Sequence, residues 1–175
     1  MHRNATEEQD HQVKEAITAF SSETLKRIHD DLAGVRRADK DLSGEMNKIT
    51  VVCEPPPVTP RCHPVELPPN PLMVHISMGN MTRAADTLQK DVDELKPLAY
   101  VQSDKFGSHV DDLATQLSQL NVEINKLKVL TGEPDEMHDS ERKYDRTAIL
   151  KETDAIDAMS KAMEKTRKRL EKDQH

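Results

Sequence analysis

Apolar residues recur along most of this chain at alternating intervals of three and four, the spacing that lines one face of an α-helix. The longest unbroken series lies between Ser103 and Leu130, where Phe106, Val110, Leu113, Leu117, Leu120, Ile124 and Leu127 miss no position. Before it, from about Leu72 to Lys96, Val74, Met78, Met81, Ala85, Leu88, Val92 and Leu95 follow the same rule, and Ala99 continues it. Pro97 predicts an end or a kink there, because its ring removes an amide and crowds the preceding turn. Gly132 followed by Pro134 predicts the stop of the later series.

Two further helices flank this pair. Thr6-Glu7-Glu8-Gln9 reads as a capping box, and a long helix over residues 6–50 follows it. Its seam holds Leu25, Ile28, Leu32, Val35, Leu42, Met46 and Ile49, with Asp39 at one seam position. Upstream, Val13, Ile17 and Phe20 fit only after a one-residue slip near Ser21-Ser22. A last helix over 140–172 carries Ile149, Ile156, Met159, Met163 and Leu170, interrupted by Glu152 and Thr166. Residues 54–71 hold eight of the ten prolines. That density predicts an extended, semi-rigid connector. The chain therefore divides into a long helix at 6–50, a proline-rich linker at 54–71, a helical hairpin at 72–131 and a helix at 140–172.

A seven-residue repeat drifts around an ideal helix unless helices supercoil, so sustained heptads call for partner helices. Val110, Leu117 and Ile124 take the a positions, and Leu113, Leu120 and Leu127 the d positions. Ala84, Leu98, Ala114 and Leu130 widen the stripes, which favours three or four packed helices. The predicted fold class is all-α: elongated heptad-repeat helices, as coiled coil or helical hairpin, interrupted by a proline-rich connector. A first helix of roughly 65 Å is longer than neighbours of about 40 Å can cover. Length thus favours helices of other chains as the cover, with a self-contained four-helix bundle as the alternative. On the favoured reading Val74, Met78, Met81, Ala85, Leu88, Val92, Leu95, Phe106, Val110, Leu113, Leu117, Leu120, Ile124 and Leu127 bind partner helices.

Composition narrows the function classes. Of 175 residues 35% are hydrophobic, 33% charged and 2% aromatic, with no Trp, which argues against an aromatic-lined small-molecule pocket. A net charge of −7 disfavours nucleic acid and anionic membrane surfaces. No apolar run is long enough to span a bilayer, and Met1-His2-Arg3-Asn4 leads into Glu7, Glu8 and Asp10 without an apolar signal core. A nuclear or cytoplasmic location is expected. Cys53 and Cys62 are the two cysteines, read as free thiols in a reducing compartment.

Candidate chemistry is sparse. Cys53, Cys62, His63 and His75 match no zinc spacing, and no metal, cofactor or small-molecule ligand is expected. Asp111-Asp112 falls on outward heptad positions, a solvated face rather than a general acid–base pair; Asp30-Asp31 is a second adjacent couple. Lys161, Lys165, Arg167, Lys168 and Arg169 complement a helix C-terminus, or else form a nuclear-import signal or meet an acidic partner. Met78, Met81, Met159 and Met163 read as core filler. No phosphate-cradling loop, metalloprotease helix or nucleophile elbow occurs, so no enzymatic activity is expected.

Pro69-Asn70-Pro71-Leu72 leads into Asp86-Thr87-Leu88-Gln89-Lys90-Asp91-Val92-Asp93-Glu94-Leu95, and Leu113-Ala114-Thr115-Gln116-Leu117 and Lys126-Leu127-Lys128-Val129-Leu130 follow. That order, from about Thr24 to Leu130, resembles the coiled-coil region of a central-channel FG nucleoporin. The resemblance implies a hetero-oligomeric, three-chain coiled coil at the nuclear pore. Phe106-Gly107 is the one Phe-Gly pair, so the implied role is an anchoring piece without a permeability barrier. Short coiled-coil subunits of the Mediator transcription complex are similar in size and layout, and a cytoskeletal or tethering adaptor shares the physical class. Each implies a structural subunit held by other coiled-coil subunits.

Overall fold

The computed structural model describes residues 5–55, 59–132 and 143–175. Its helices are α1 (Ala5–Met46), α2 (Pro71–Gln102), α3 (Asp104–Thr131) and α4 (Arg146–Asp173), and two strands, β1 (Ile49–Cys53) and β2 (Cys62–Glu66), lie between α1 and α2. α1 packs on α2 and α4, and α3 packs on the same two. Cross-helix bonds fix the directions. Arg27 meets Asp91 and Glu94, Asn121 meets Gln89, Thr166 meets Gln116, and Ser22 meets Gln174. With the short crossing at Ser103 and the α1–α2 junction described below, each helix runs antiparallel to its neighbours. The fold is an up-down-up-down four-helix bundle carrying a small ribbon.

The all-α class follows the heptads, but the cover for the stripes comes from within. Val74, Met78, Met81, Ala85, Leu88, Val92 and Leu95 on α2, and Phe106, Val110, Leu113, Leu117, Leu120, Ile124 and Leu127 on α3, are all at most 6% exposed. They form one cluster with Leu25, Ile28, Leu32, Val35, Leu42 and Met46 of α1 and Ile149, Ile156, Met163 and Leu170 of α4. The length argument for outside helices is met by an overhang. α1 has 42 residues against 32, 28 and 28 in the others, and its first buried residue is Ser21. The stretch from Ala5 to Phe20, about 24 Å long, contributes nothing to the core; the rest matches its neighbours.

Several expected boundaries move. α1 stops at Met46 rather than near Thr50, because Ile49, Thr50, Val51 and Val52 form a β-branched run that fits a strand better. Ile49, expected on the helical seam, is 61% exposed. The proline-rich segment is no uniform polyproline spacer: Cys62–Glu66 pairs antiparallel with Ile49–Cys53, from Ile49 opposite Glu66 to Cys53 opposite Cys62. Cys53 and Cys62 are joined in a disulfide, which corrects the expectation of free thiols. α2 continues through Pro97 to Gln102. The ring faces solvent while Leu95 and Ala99 are buried on either side, and their packing offsets the roughly 3 kcal/mol an interior proline costs.

Ser103 alone separates α2 from α3, and its Oγ accepts the Phe106 amide at 3.0 Å to cap the new helix. A side chain at Gly107 would run into the Tyr100 ring. The Phe106-Gly107 pair thus serves the packing of this turn, with Phe106 fully buried. α4 begins at Arg146, where Asp145 Oδ1 accepts the Ala148 amide at 3.1 Å. Residues 140–142 of the expected helix lie outside the described residues. At the interruption on α4, Thr166 donates to Gln116 Oε1 at 2.9 Å, so a buried hydroxyl sits on the seam with its bond made.

Neither strand packs on a helix, and a two-stranded ribbon by itself is marginal in water. The disulfide carries it. Cys53→Ser is therefore expected to cut amide protection of Thr50, Val52 and Val65 by about a hundredfold, on the order of 3 kcal/mol for a loop this short. Hydrogen exchange measures the loss, while the helical circular dichroism of the bundle stays unchanged.

Candidate interaction surfaces

With the seams closed, most of the large apolar side chains that stay open lie toward the two ends of the bundle, with Val122 on the middle of α3 apart from them. At one end lie Ile49, Val51, Val52, Val65 and Leu67 on the ribbon and its base, then Leu72, Met73 and Ile76 on the first turns of α2. At the other lie Val13, Phe20, Tyr100 and Val101. Single exposed apolar residues are ordinary, but clusters of them mark contact sites.

The ribbon's two edges differ. The ladder is extended by the Glu54 amide on Arg61 O at 3.1 Å and the Leu67 amide on Lys48 O at 2.9 Å. Opposed residues in an antiparallel pair alternate between bonded and non-bonded. Thr50 opposite Val65 and Val52 opposite His63 are therefore bonded pairs, and Ile49, Val51 and Cys53 aim their amides and carbonyls outward from β1. On β2 the outward positions are Cys62, Pro64 and Glu66. Pro64 has no amide to offer, so the outer edge of β2 is broken and that of β1 is intact.

The base of the ribbon is fastened to three helices. The Arg146 guanidinium at the start of α4 donates to Met46 O and to Leu67 O, and its Nε lies 3.8 Å from a Glu66 carboxylate oxygen. Glu45 near the end of α1 accepts the Asn70 amide at 2.8 Å and holds Lys48 at 2.9 Å. Burial alone would raise the Glu45 carboxyl; Lys48 and the Asn70 amide outweigh it and hold it below its ordinary value. Asn70 in turn caps α2, its Oδ1 accepting the Leu72 amide at 2.9 Å.

No family model, curated protein or solved structure matches this chain.

The overhang of α1 carries a stripe of its own. Traced back from Ser21, Leu25 and Ile28, the bundle-facing seam would pass through Thr18, Lys14 and His11, all polar. Val13, Ile17 and Phe20 sit one residue out of phase, about 100° round the helix. The slip visible in the sequence thus marks where the bundle ends. Ile17, Lys14 and Thr18 border a small hollow with Val101 and Gln102.

Other candidates divide plainly. Asp111 and Asp112 are exposed, and Asp111 accepts the Tyr100 hydroxyl. Asp31 is different: it is half-buried against Asp91 of α2. On α4, Lys161, Lys165, Lys168 and Arg169 are exposed, whereas Arg167 is buried and bound by Glu164 and Glu171. A hollow of about 400 Å³ between the end of α3 and the start of α4 is lined by Lys126, Val129, Leu130, Ala148, Lys151 and Glu152. Among the described residues, no cluster of three His, Cys, Asp or Glu could hold a metal ion, and no helix is long and apolar enough to cross a membrane.

The ribbon escaped the sequence reading because Ile49 fitted the helical spacing and the prolines hid the second strand. The usable signal was the run Ile49-Thr50-Val51-Val52 ending on Cys53, with a second cysteine nine residues on.

Proposed function

We propose that this chain is a non-enzymatic assembly subunit that grips a partner protein by the ribbon, the partner laying an extended segment along the open edge of β1. The observation that carries this reading is the intact row of outward amides and carbonyls at Ile49, Val51 and Cys53, set among exposed apolar side chains and fastened to a rigid bundle. Main-chain bonds along such an edge supply affinity, and the alternating side chains supply selectivity. Free edges invite pairing unless blunted by proline, lysine or a bulge. β2 is blunted by Pro64; β1 carries no such device. A helical contact is the second reading. The out-of-phase stripe of Val13, Ile17 and Phe20 offers a short heptad seam to a partner helix, in keeping with a coiled-coil assembly.

Val51→Pro tests the first reading with little disturbance. The Val51 amide points out of the ribbon, so proline there removes an edge donor and no ladder bond, as Pro64 does opposite. The isolated variant is expected to melt like the parent. In extracts of native cells, the assembly containing the chain should shrink to the size of the free protein. An assembly of unchanged size with Val51→Pro would refute edge pairing.

A further inference from the structure

The open edge of β1 is complementary to itself. Two copies of one strand can pair antiparallel about a two-fold axis, outward residues bonding to outward residues. Those residues are Ile49, Val51 and Cys53, so an axis through Val51 sets Val51 opposite its own copy and Ile49 opposite Cys53. Every outward amide and carbonyl of the strand then has a partner. Moving the axis to Thr50 would put Cys53 opposite Asn47, whose amide is bonded back into the end of α1. With the axis at Val51, Thr50 falls opposite Val52. One step beyond the strand, Lys48 falls opposite Glu54. Both still belong to the ladder, Lys48 through its carbonyl to Leu67 and Glu54 through its amide to Arg61.

The charges fit that register. Near a two-fold axis each residue meets its own copy, so a charge in the middle of the strand would repel itself. Ile49-Thr50-Val51-Val52-Cys53 carries none. Its flanks carry opposite signs, Lys48 before it and Glu54 after it, so an unlike pair closes each end. Directly opposed unlike charges support antiparallel strands, and like charges weaken them. Glu54 is exposed, and Lys48 is half-exposed beside Glu45. The bundle leaves the edge accessible: among the described residues neither strand packs on a helix, and Ile49 and Val51 are well exposed. β2 offers no such axis, because Pro64 stands at its centre with no amide to give.

We infer that the partner on the β1 edge is a second copy of this chain, the two ribbons joining into one sheet ordered β2-β1-β1-β2 with a bundle on either side. The inference rests on the edge pairing proposed above and names its occupant. Val51 meets its copy on the axis, and Ile49 and Cys53 of the two chains lie beside it on the same face of the sheet. One short strand with two flanking ion pairs is a small interface. The dimer is therefore weak, with a dissociation constant on the order of 10 µM.

Sedimentation of the purified full chain between about 1 and about 100 µM reads the pairing. The parent is expected to pass from monomer to dimer over that range, and the amides of Ile49, Val51 and Cys53 to gain hydrogen-exchange protection as it does. Val51→Pro should stay monomeric throughout. Glu54→Lys places a cation against Lys48 at both ends and should weaken the dimer about tenfold; Lys48→Glu should do the same with carboxylates. Mixed together, the two single variants regain unlike charges at both ends, so they should pair with each other as tightly as the parent pairs with itself. Should Lys48→Glu disturb Glu45 and fail to fold, a falling order of dimer strength from parent to Glu54→Gln to Glu54→Lys serves instead. A parent monomeric at every concentration, a Val51→Pro chain that dimerises like the parent, or charge variants without effect would each overturn self-pairing. If the purified parent is monomeric while Val51→Pro still shrinks the assembly in extracts, edge pairing stands and its occupant is another protein. An assembly that Val51→Pro leaves unchanged removes both.

Discussion

Aspartate at Leu117 together with Leu120 is expected to unfold the isolated chain. Both leucines are at most 1% exposed and sit where α3 meets its neighbours. Removing a buried leucine costs about 3–5 kcal/mol, and an unpaired charge in its place adds several more. Two such changes exceed most of the roughly 5–15 kcal/mol that holds an ordinary domain together. Circular dichroism at 222 nm, with sedimentation of the purified chain, checks the outcome. The parent should melt cooperatively as folded helices; the double variant should show little helix at any temperature. If the seam were instead covered by other chains, the variant would keep the helicity of the isolated parent and lose only its partners. Val129→Asp, at a position 82% exposed, should shift stability by less than about 0.5 kcal/mol.

A second large effect is expected at Asp39, and it depends on pH. The folded chain holds this carboxyl at about 7 against an ordinary value of 3.8. Between those values the folded state binds a proton that the unfolded state has released. Its contribution is therefore fully present below about pH 4 and is lost as pH rises through 7. About three pKa units correspond to about 4 kcal/mol. Other carboxyls act the opposite way. Lys161, with Arg36, lowers Asp157, and Arg167 with His29 lowers Glu164 against its burial. What they contribute is present at neutral pH and disappears in acid. Stability should peak at about pH 4–5 and fall toward pH 8. Asp39→Leu, which fills the seam with a hydrocarbon, should remove the share of the alkaline decline that Asp39 carries and raise stability at pH 8 by about 3–4 kcal/mol, leaving the share of Asp31, whose carboxyl burial and Asp91 push up to about 8. Urea titrations of parent and variant at both ends of that range measure it; parallel pH profiles would contradict the assignment.

Much of the helical architecture could be read from spacing alone. The stripe from Phe106 to Leu127 lies buried as its period demands, and the slip between Phe20 and Ser21 coincides with the end of the bundle. The helix does not end at Pro97 because the local penalty is outweighed by the packing of Leu95 and Ala99, which only the folded neighbours supply. Ile49 misled because one residue can satisfy a helical period and a strand equally well. The ribbon needed its second strand, Cys62–Glu66, to be recognised, and that pairing spans a proline-dense loop whose path no local propensity predicts.

What the sequence determined by itself is where the helices lie and which side of each one must be kept from water, because periodicity and capping act within a few residues. Tertiary structure decided which surfaces provide that shelter. It set α4 against α1, brought Asp39 near Asp157, and left the β1 edge unpaired among the described residues. Those outcomes depend on groups many turns apart in the chain, and a hydrophobic stripe states only that it needs a cover, never whose.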